Sequence, residues 1–218
     1  MKHRYLTFDC YGTLIDWKAG IEAGLRSALG EIGIGGQQLL RAYVEAEQKE
    51  ESVYKKYREV LRDTAVSLSG TLGRKVDLRA ASAFAGSVPD WPAFADTERF
   101  LKEMGSRGYK RYILSNVDDD LLEATIRKNR LEVDGFVTAE QVGSYKPRPG
   151  HWTEFMARTG ARKDEVLHVA QSVFHDIIPT QGLGIESVWV NRYREQLPAG
   201  ASPGLIVDSL ALLSGVID

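Results

Sequence analysis

Four stretches of this chain carry side chains able to do covalent chemistry. In "YLTFDCYGTLIDW" (residues 5–17) a run of β-formers ends on a carboxylate, Asp9, with the hydroxyl of Thr13 four residues later. "LSN" (114–116) ends a second apolar run on Ser115 and Asn116. "GSYKPRPG" (143–150) presents Lys146 in a turn-rich loop ahead of a helical pattern, and "AQSVFHD" (170–176) leads from a third apolar run to Asp176. A carboxylate becomes a useful nucleophile when it stays ionised without being smothered in water, and an ammonium nearby keeps it charged and oriented. Each residue also has a plain reading: a strand-end Asp caps a loop, Ser-Asn starts a helix, and a Lys before Pro is solvated. Their joint order carries the weight.

The elements that must position these residues alternate. "YLTFD" (5–9), "RYILSN" (111–116), "EVLHVA" (165–170), "ESVWV" (186–190) and, more weakly, "LIV" (205–207) read as buried strands. Residues 96–107, 119–130, 149–160 and 174–183 read as helices between them. The fold class expected is α/β, a Rossmann-like parallel sheet covered on both faces. In such sheets ligands sit beyond the carboxyl ends of the strands, which is where Asp9, Ser115 and Asp176 fall. Asp118, Asp119 and Asp120 stand where a helix's first turn favours negative charge. From about 18 to 95 there is no convincing strand. The clearest helix there is 52–68, and "EIGIGGQQ" and "SVPDWPAF" read as loops. The division expected is a discontinuous α/β core, 1–14 and 96–218, with a helical cap, 15–95.

Composition narrows the classes. The 218 residues carry a formal net charge of −2, so neither a nucleic-acid footprint nor an anionic-membrane partner is expected. One cysteine, Cys10, cannot form an intrachain disulfide. With no signal-peptide pattern and no stretch nearing a membrane span, the expected location is cytoplasmic.

The order "DCYGT" (9–13), "LSN", "SYKPRP" (144–149) and "AQSVFHD" resembles the four motifs of the haloacid dehalogenase-like superfamily, over most of the chain. Two departures bear on the reaction. Phosphatases of the superfamily carry a second Asp two residues after the nucleophile; here that place is Tyr11, whose phenol, with a pKa of about 10, is a poor acid catalyst near neutrality. Where their last motif opens with an Asp that helps to bind Mg²⁺, this chain has Gln171. Asp9 and Asp176 would be balanced by Lys146 and one cap arginine with no metal, so no cofactor is expected.

These departures resemble the L-2-haloacid dehalogenase branch. By that resemblance Asp9 attacks the halogen-bearing carbon of a short 2-haloalkanoic acid, forming an ester and a halide ion. Water then frees the 2-hydroxy acid. Lys146 would hold Asp9, Thr13 fix its rotamer and Asp176 serve the water, while Ser115, Asn116 and backbone near Tyr11 hold the substrate carboxylate. Arg41, in "LLRAYVEAE", has the spacing of the branch's halide-binding arginine, with Arg58 and Arg62 as fallbacks. His175 and Trp152 stand where the branch has pocket-lining aromatics, and Cys10 adjoins the nucleophile as a further lining residue. Val173 replaces an Asn that positions water. His3 and His168 read as edge and strand positions and make no metal site. The partners implied are the haloacid and halide, with a homodimer common in the branch. A Mg²⁺-dependent phosphatase and a non-catalytic binding module of the same fold stand as alternatives.

Overall fold

The computed structural model describes residues 2–30 and 33–217; Glu31 and Ile32 of the "EIGIGGQQ" loop lie outside them. Tyr5–Phe8 (β1), Lys110–Ser115 (β2), Gly135–Thr138 (β3), Val166–Ala170 (β4), Glu186–Val190 (β5) and Leu205–Val207 (β6) form one parallel sheet. Its order is β3-β2-β1-β4-β5-β6. The chain runs outward one way from β1 through β2 to β3, then returns to β4 on the other side. The strand order thus reverses beside β1, the place where such sheets open a crevice. Every residue of β1 and β4 is buried, as continuous apolar strands covered on both faces should be. Phe8 pairs with Ile113 and Val169, so the loops after all three strands leave the sheet at one edge.

The five expected strands are present, and β3 is an addition. Its four residues, "GFVT", begin on a glycine and are too few to show a period. The helices Thr97–Ser106 (α5), Asp119–Lys128 (α6), Ala139–Val142 (α7), Gly150–Thr159 (α8), Ile178–Leu183 (α9) and Leu210–Ser214 (α10) complete this part of the chain; they are numbered after four helices that precede them in sequence. The helix expected over 174–183 is two pieces: a π turn at Val173–Ile177 leads into α9. Such turns are frequent at functional sites.

Between β1 and α5 the chain inserts Trp17–Leu29 (α1), Gly36–Glu50 (α2), Tyr57–Thr71 (α3) and Leu78–Ala85 (α4). Leu25, Leu39, Tyr43, Leu61, Leu68 and Phe84 are buried where α1–α4 meet. Gly20 is required in α1: a Cβ there would stand 2.2 Å from the Trp91 ring, which lies directly on the helix backbone. The expected helix 52–68 instead starts at Tyr57. The reason is Asp118, which does not act on its own helix: its carboxylate accepts from the Tyr57 and Arg58 backbone N–H groups at 2.8 and 3.0 Å. It thereby satisfies two orphan donors at the start of α3. A second tie between insert and sheet is the Tyr145 hydroxyl, donating to the Lys55 carbonyl at 2.6 Å. No helix among the described residues is long and apolar enough to cross a membrane.

Candidate active site

Asp9 is the first residue beyond β1 and is only 8% exposed. One carboxylate oxygen accepts from Lys146 Nζ at 2.9 Å and the other from Thr13 Oγ1 at 2.9 Å. The Thr13 hydroxyl in turn accepts the Gln171 backbone N–H at 2.9 Å, tying the loop after β1 to the loop after β4. Gly12, between them, has φ of +107°, and a Cβ there would meet the Gln171 side chain at 3.0 Å. Only glycine makes this turn without strain.

Lys146 is buried, and its three N–H bonds each have an acceptor: Asp9 at 2.9 Å, the Leu114 carbonyl at 3.0 Å and Asp176 at 2.7 Å. An ammonium has three donors and no more, so this one is fully satisfied. The Asn116 amide fixes its backbone, donating to the Lys146 carbonyl at 3.1 Å and accepting its N–H at 2.7 Å. Asn116, expected to hold substrate, thus lines the cavity with its side chain already committed to the lysine loop.

Asp176 shares one oxygen between Lys146 and His168 Nε2, the latter at 2.9 Å; the other oxygen is buried and has no partner. Because a carboxylate only accepts, His168 donates through Nε2, and its Nδ1 meets Thr7 Oγ1 at 2.9 Å. The register that pairs Thr7 with His168 makes this chain of contacts. Burial works to raise the Asp176 carboxyl, but Lys146 and His168 together overcome it and hold the group at about 2. For Asp9 burial prevails and pushes the carboxyl up, against the pull of Lys146. His168, expected as a plain strand residue, belongs to this network. No periodicity reveals it; only the pairing of β1 with β4 does.

Above these residues lies a cavity of about 220 Å³. Its floor is Asp9, Ser115, Asn116, Lys146 and Asp176, and the Ser115 hydroxyl is buried there without a partner. Tyr11 contributes its ring to the wall. Its hydroxyl is 2.9 Å from Thr125 Oγ1, whose own proton goes to the Leu121 carbonyl, so Tyr11 is the donor and is tied away. Burial pushes that phenol further above its ordinary range. His175 lines the cavity with its Nδ1 3.0 Å from Ser172 Oγ, and burial lowers its pKa.

Two expected lining residues, Trp152 and Cys10, and the expected halide-binding Arg41 are placed elsewhere. Trp152 is fully buried beneath the sheet among Leu114, Val137 and Phe155, with its ring 5.4 Å from that of His168. Cys10 is fully buried in the main core, because the residue after Asp9 turns inward. Arg41 is exposed and faces a neighbouring groove with Lys18, Glu45 and Phe174. Along α2 it lies one turn from Val44, which lines both that groove and the cavity, and seven residues, about 10 Å, from Gln48. The fallbacks are also spent: Arg58 pairs with Asp118 and Asp120, and Arg62 with Asp63.

The insert instead brings Val44, Glu47, Gln48 and Glu51, one stripe of α2 and its C-terminal cap, over the cavity. Glu47 accepts from the hydroxyls of Tyr43 at 2.6 Å and Tyr57 at 2.8 Å. Burial raises its pKa, and burial beside Glu47 pushes Glu51 up to about 8. The charge balance expected from a cap arginine therefore does not hold: the insert contributes carboxyl groups. Trp17, Tyr57 and Trp91 complete the wall. The aromatic types at 17 and 91, either side of the insert, were the available sequence signal for them.

The sequence pattern of the haloacid dehalogenase-like hydrolases matches residues 3–178, and the chain belongs to that family. It is 24% identical over 197 residues to (S)-2-haloacid dehalogenase 4A of Burkholderia cepacia, covering 87% of this chain and 83% of the relative. Among solved structures, the L-2-haloacid dehalogenase of Xanthobacter autotrophicus with chloropropionic acid covalently bound superposes with a TM-score of 0.86 at 21% identity, over 98% of each chain. The magnesium-bound putative HAD-hydrolase YfnB of Bacillus subtilis superposes at 0.83 and 17% identity over the whole of both chains. The fold is therefore common to both kinds of protein, and the side chains of the site must decide between them.

Proposed function

We propose that this hydrolase cleaves the carbon–halogen bond of a short 2-haloacid through an ester on Asp9, with no metal ion. The observation that carries this reading is the surroundings of Asp9: clamped by Lys146 and Thr13, with the phenol two residues later tied to Thr125. No general acid stands there for a phosphoester leaving group. On the floor of the cavity one ammonium already bridges the carboxylates of Asp9 and Asp176, and the Gln171 amide donates to Glu195. Mg²⁺ wants a hard, oxygen-rich set, which these residues supply poorly.

In the first step an Asp9 oxygen attacks the substituted carbon, the carbon–halogen bond breaks, and halide leaves with the bonding pair. The Ser115 hydroxyl, buried without a partner, is the natural donor to the substrate carboxylate. In the second step water adds to the Asp9 carbonyl carbon. The alcohol oxygen departs as the 2-hydroxy acid, Asp9 returns to carboxylate, and one proton passes to solvent. A group held at about 2 is a weak base, so Asp176 orients that water through its unpartnered oxygen more than it deprotonates it. The relative named as an (S)-2-haloacid dehalogenase supports the substrate class.

The test is halide release from L-2-chloropropionate and from chloroacetate in excess EDTA, with Asp9→Asn as control. Release that persists in EDTA and vanishes in the variant is expected. No release, together with EDTA-sensitive hydrolysis of p-nitrophenyl phosphate, would overturn the reading.

A further inference from the structure

The half of the cavity facing the insert has the chemistry of a cation site. Its walls are the rings of Tyr11, Trp17, Tyr57 and Trp91, and its roof is Glu47 and Glu51. Tyr11 and Trp91 meet edge to face at 5.6 Å, and Gly20 lets the indole seat fully against α1. Aromatic faces with acidic side chains behind them attract ammonium groups, most strongly when alkylated: the ring quadrupole acts on the cation, and the cation in turn favours the ionised form of the acids. Among the described residues, the lysine and arginine that share a cavity or groove with these glutamates are Lys146, on the floor, and Arg148, which lines a neighbouring groove with Glu51. Lys146 is consumed by Asp9, Leu114 and Asp176. A second observation lies at the same cavity: two of the residues that line it, Ser115 and Asp176, each carry a buried polar atom without a partner.

We propose that this half of the cavity binds an organic cation, so that the substrate is a 2-haloacid bearing an ammonium or alkylated amine farther along its chain. The proposal rests on the dehalogenase reading for the halogen and on the cavity alone for the cation. Two features of the site then fit together. The substrate carboxylate faces Ser115 on the floor while its ammonium faces Glu47 and Glu51. The halide departs away from Asp9, toward the insert, where Glu47 and Glu51 line the cavity; the substrate's own ammonium is placed to stabilise the departing anion. A cavity of about 220 Å³ leaves room for a substrate longer than three carbons.

Binding is measured apart from chemistry by titrating the Asp9→Asn variant with choline and with 3,3-dimethylbutan-1-ol, its uncharged isostere, following fluorescence of Trp17 and Trp91. Choline is expected to bind about tenfold or more tightly than the alcohol, a difference of about 1.4 kcal/mol. Glu47→Gln, which keeps an acceptor for Tyr43 and Tyr57, should bring the two within about twofold of each other. Should that variant fail to fold, Glu51→Gln and the charged-against-neutral comparison in Asp9→Asn carry the test. Equal affinities, tighter binding of the alcohol, or no binding of choline would overturn the proposal. Halide release from 4-amino-2-chlorobutanoate and 2-chlorobutanoate then separates the two readings. Selective choline binding with no halide from either acid removes the dehalogenase reading and leaves the cation site. Equal kcat/KM for both acids without choline binding removes the cation site and leaves the dehalogenase.

Discussion

Replacing Lys146 by Met keeps the length of the side chain and removes its charge. In the structure Nζ makes contacts of 2.9, 3.0 and 2.7 Å in a buried setting. Without it Asp9 retains only Thr13, and Asp176 retains only His168 with its second oxygen already unpartnered. Removing one member of a buried ion pair costs about 3–5 kcal/mol, a large share of the ~5–15 kcal/mol that holds a domain folded. At a urea m-value of ~2–3 kcal/mol/M the midpoint should fall by roughly 1–2.5 M at pH 7. The pH dependence gives the cause. Asp176 is held at about 2, below its ordinary 3.8, so its stabilising contribution is full above about 4 and is lost as pH falls through 2. In Lys146→Met both carboxyls are buried without a cation and rise above their unfolded values. Their penalty is then greatest at neutral pH and shrinks as pH falls toward about 4.5. Urea unfolding of both proteins at pH 7 and pH 4.5 measures this. A variant within about 1 kcal/mol of wild type at pH 7, or a deficit equal at both pH values, would refute the reasoning.

Arg41→Ala should leave kcat/KM for any haloacid within about twofold, since that side chain faces another groove; a loss beyond about a hundredfold, of the size expected for a group stabilising the departing anion, would return Arg41 to the site. Asp118→Ala should lower stability by about 1–2 kcal/mol through the N-terminus of α3, seen as a lower urea midpoint. Glu51→Gln should stabilise the protein at pH 8 and hardly at pH 4.5. The Glu51 carboxyl is raised from 4.5 to about 8, so wild-type stability falls as pH rises between those values. The gain, tracked by thermal midpoints across pH, should be ~1–2 kcal/mol after allowance for partial solvent access, and a gain independent of pH would contradict the assignment.

The floor of the site was legible in the sequence because Asp9 and Ser115 stand at strand ends and Asp176 follows within a few residues of another. Parallel pairing then brings Asp9, Ser115 and Asp176 to one edge whatever the loops do. Lys146 came with its turn-rich motif. The roof was not legible. Arg41 and Glu47 lie on the same helix, and which of them covers Asp9 depends on how far along α2 the cavity falls. Tertiary ties such as Asp118 to α3 and Tyr145 to Lys55 set that, and no local pattern encodes them. Trp152 and Cys10 misled for a related reason: proximity to a motif in sequence says nothing about which face of the sheet a side chain takes. Helix propensity placed the long insert helix five residues early, because a carboxylate from another element sets its start.

Covalent attack by the residue after β1 is tested most directly by one turnover in H₂¹⁸O with enzyme in excess over 2-haloacid, followed by mass spectrometry of the peptide spanning Asp9. The ester route places the first solvent oxygen in the Asp9 carboxylate and leaves the first hydroxy acid unlabelled. Heavy oxygen found in that first product, with the peptide unchanged in mass, would contradict it.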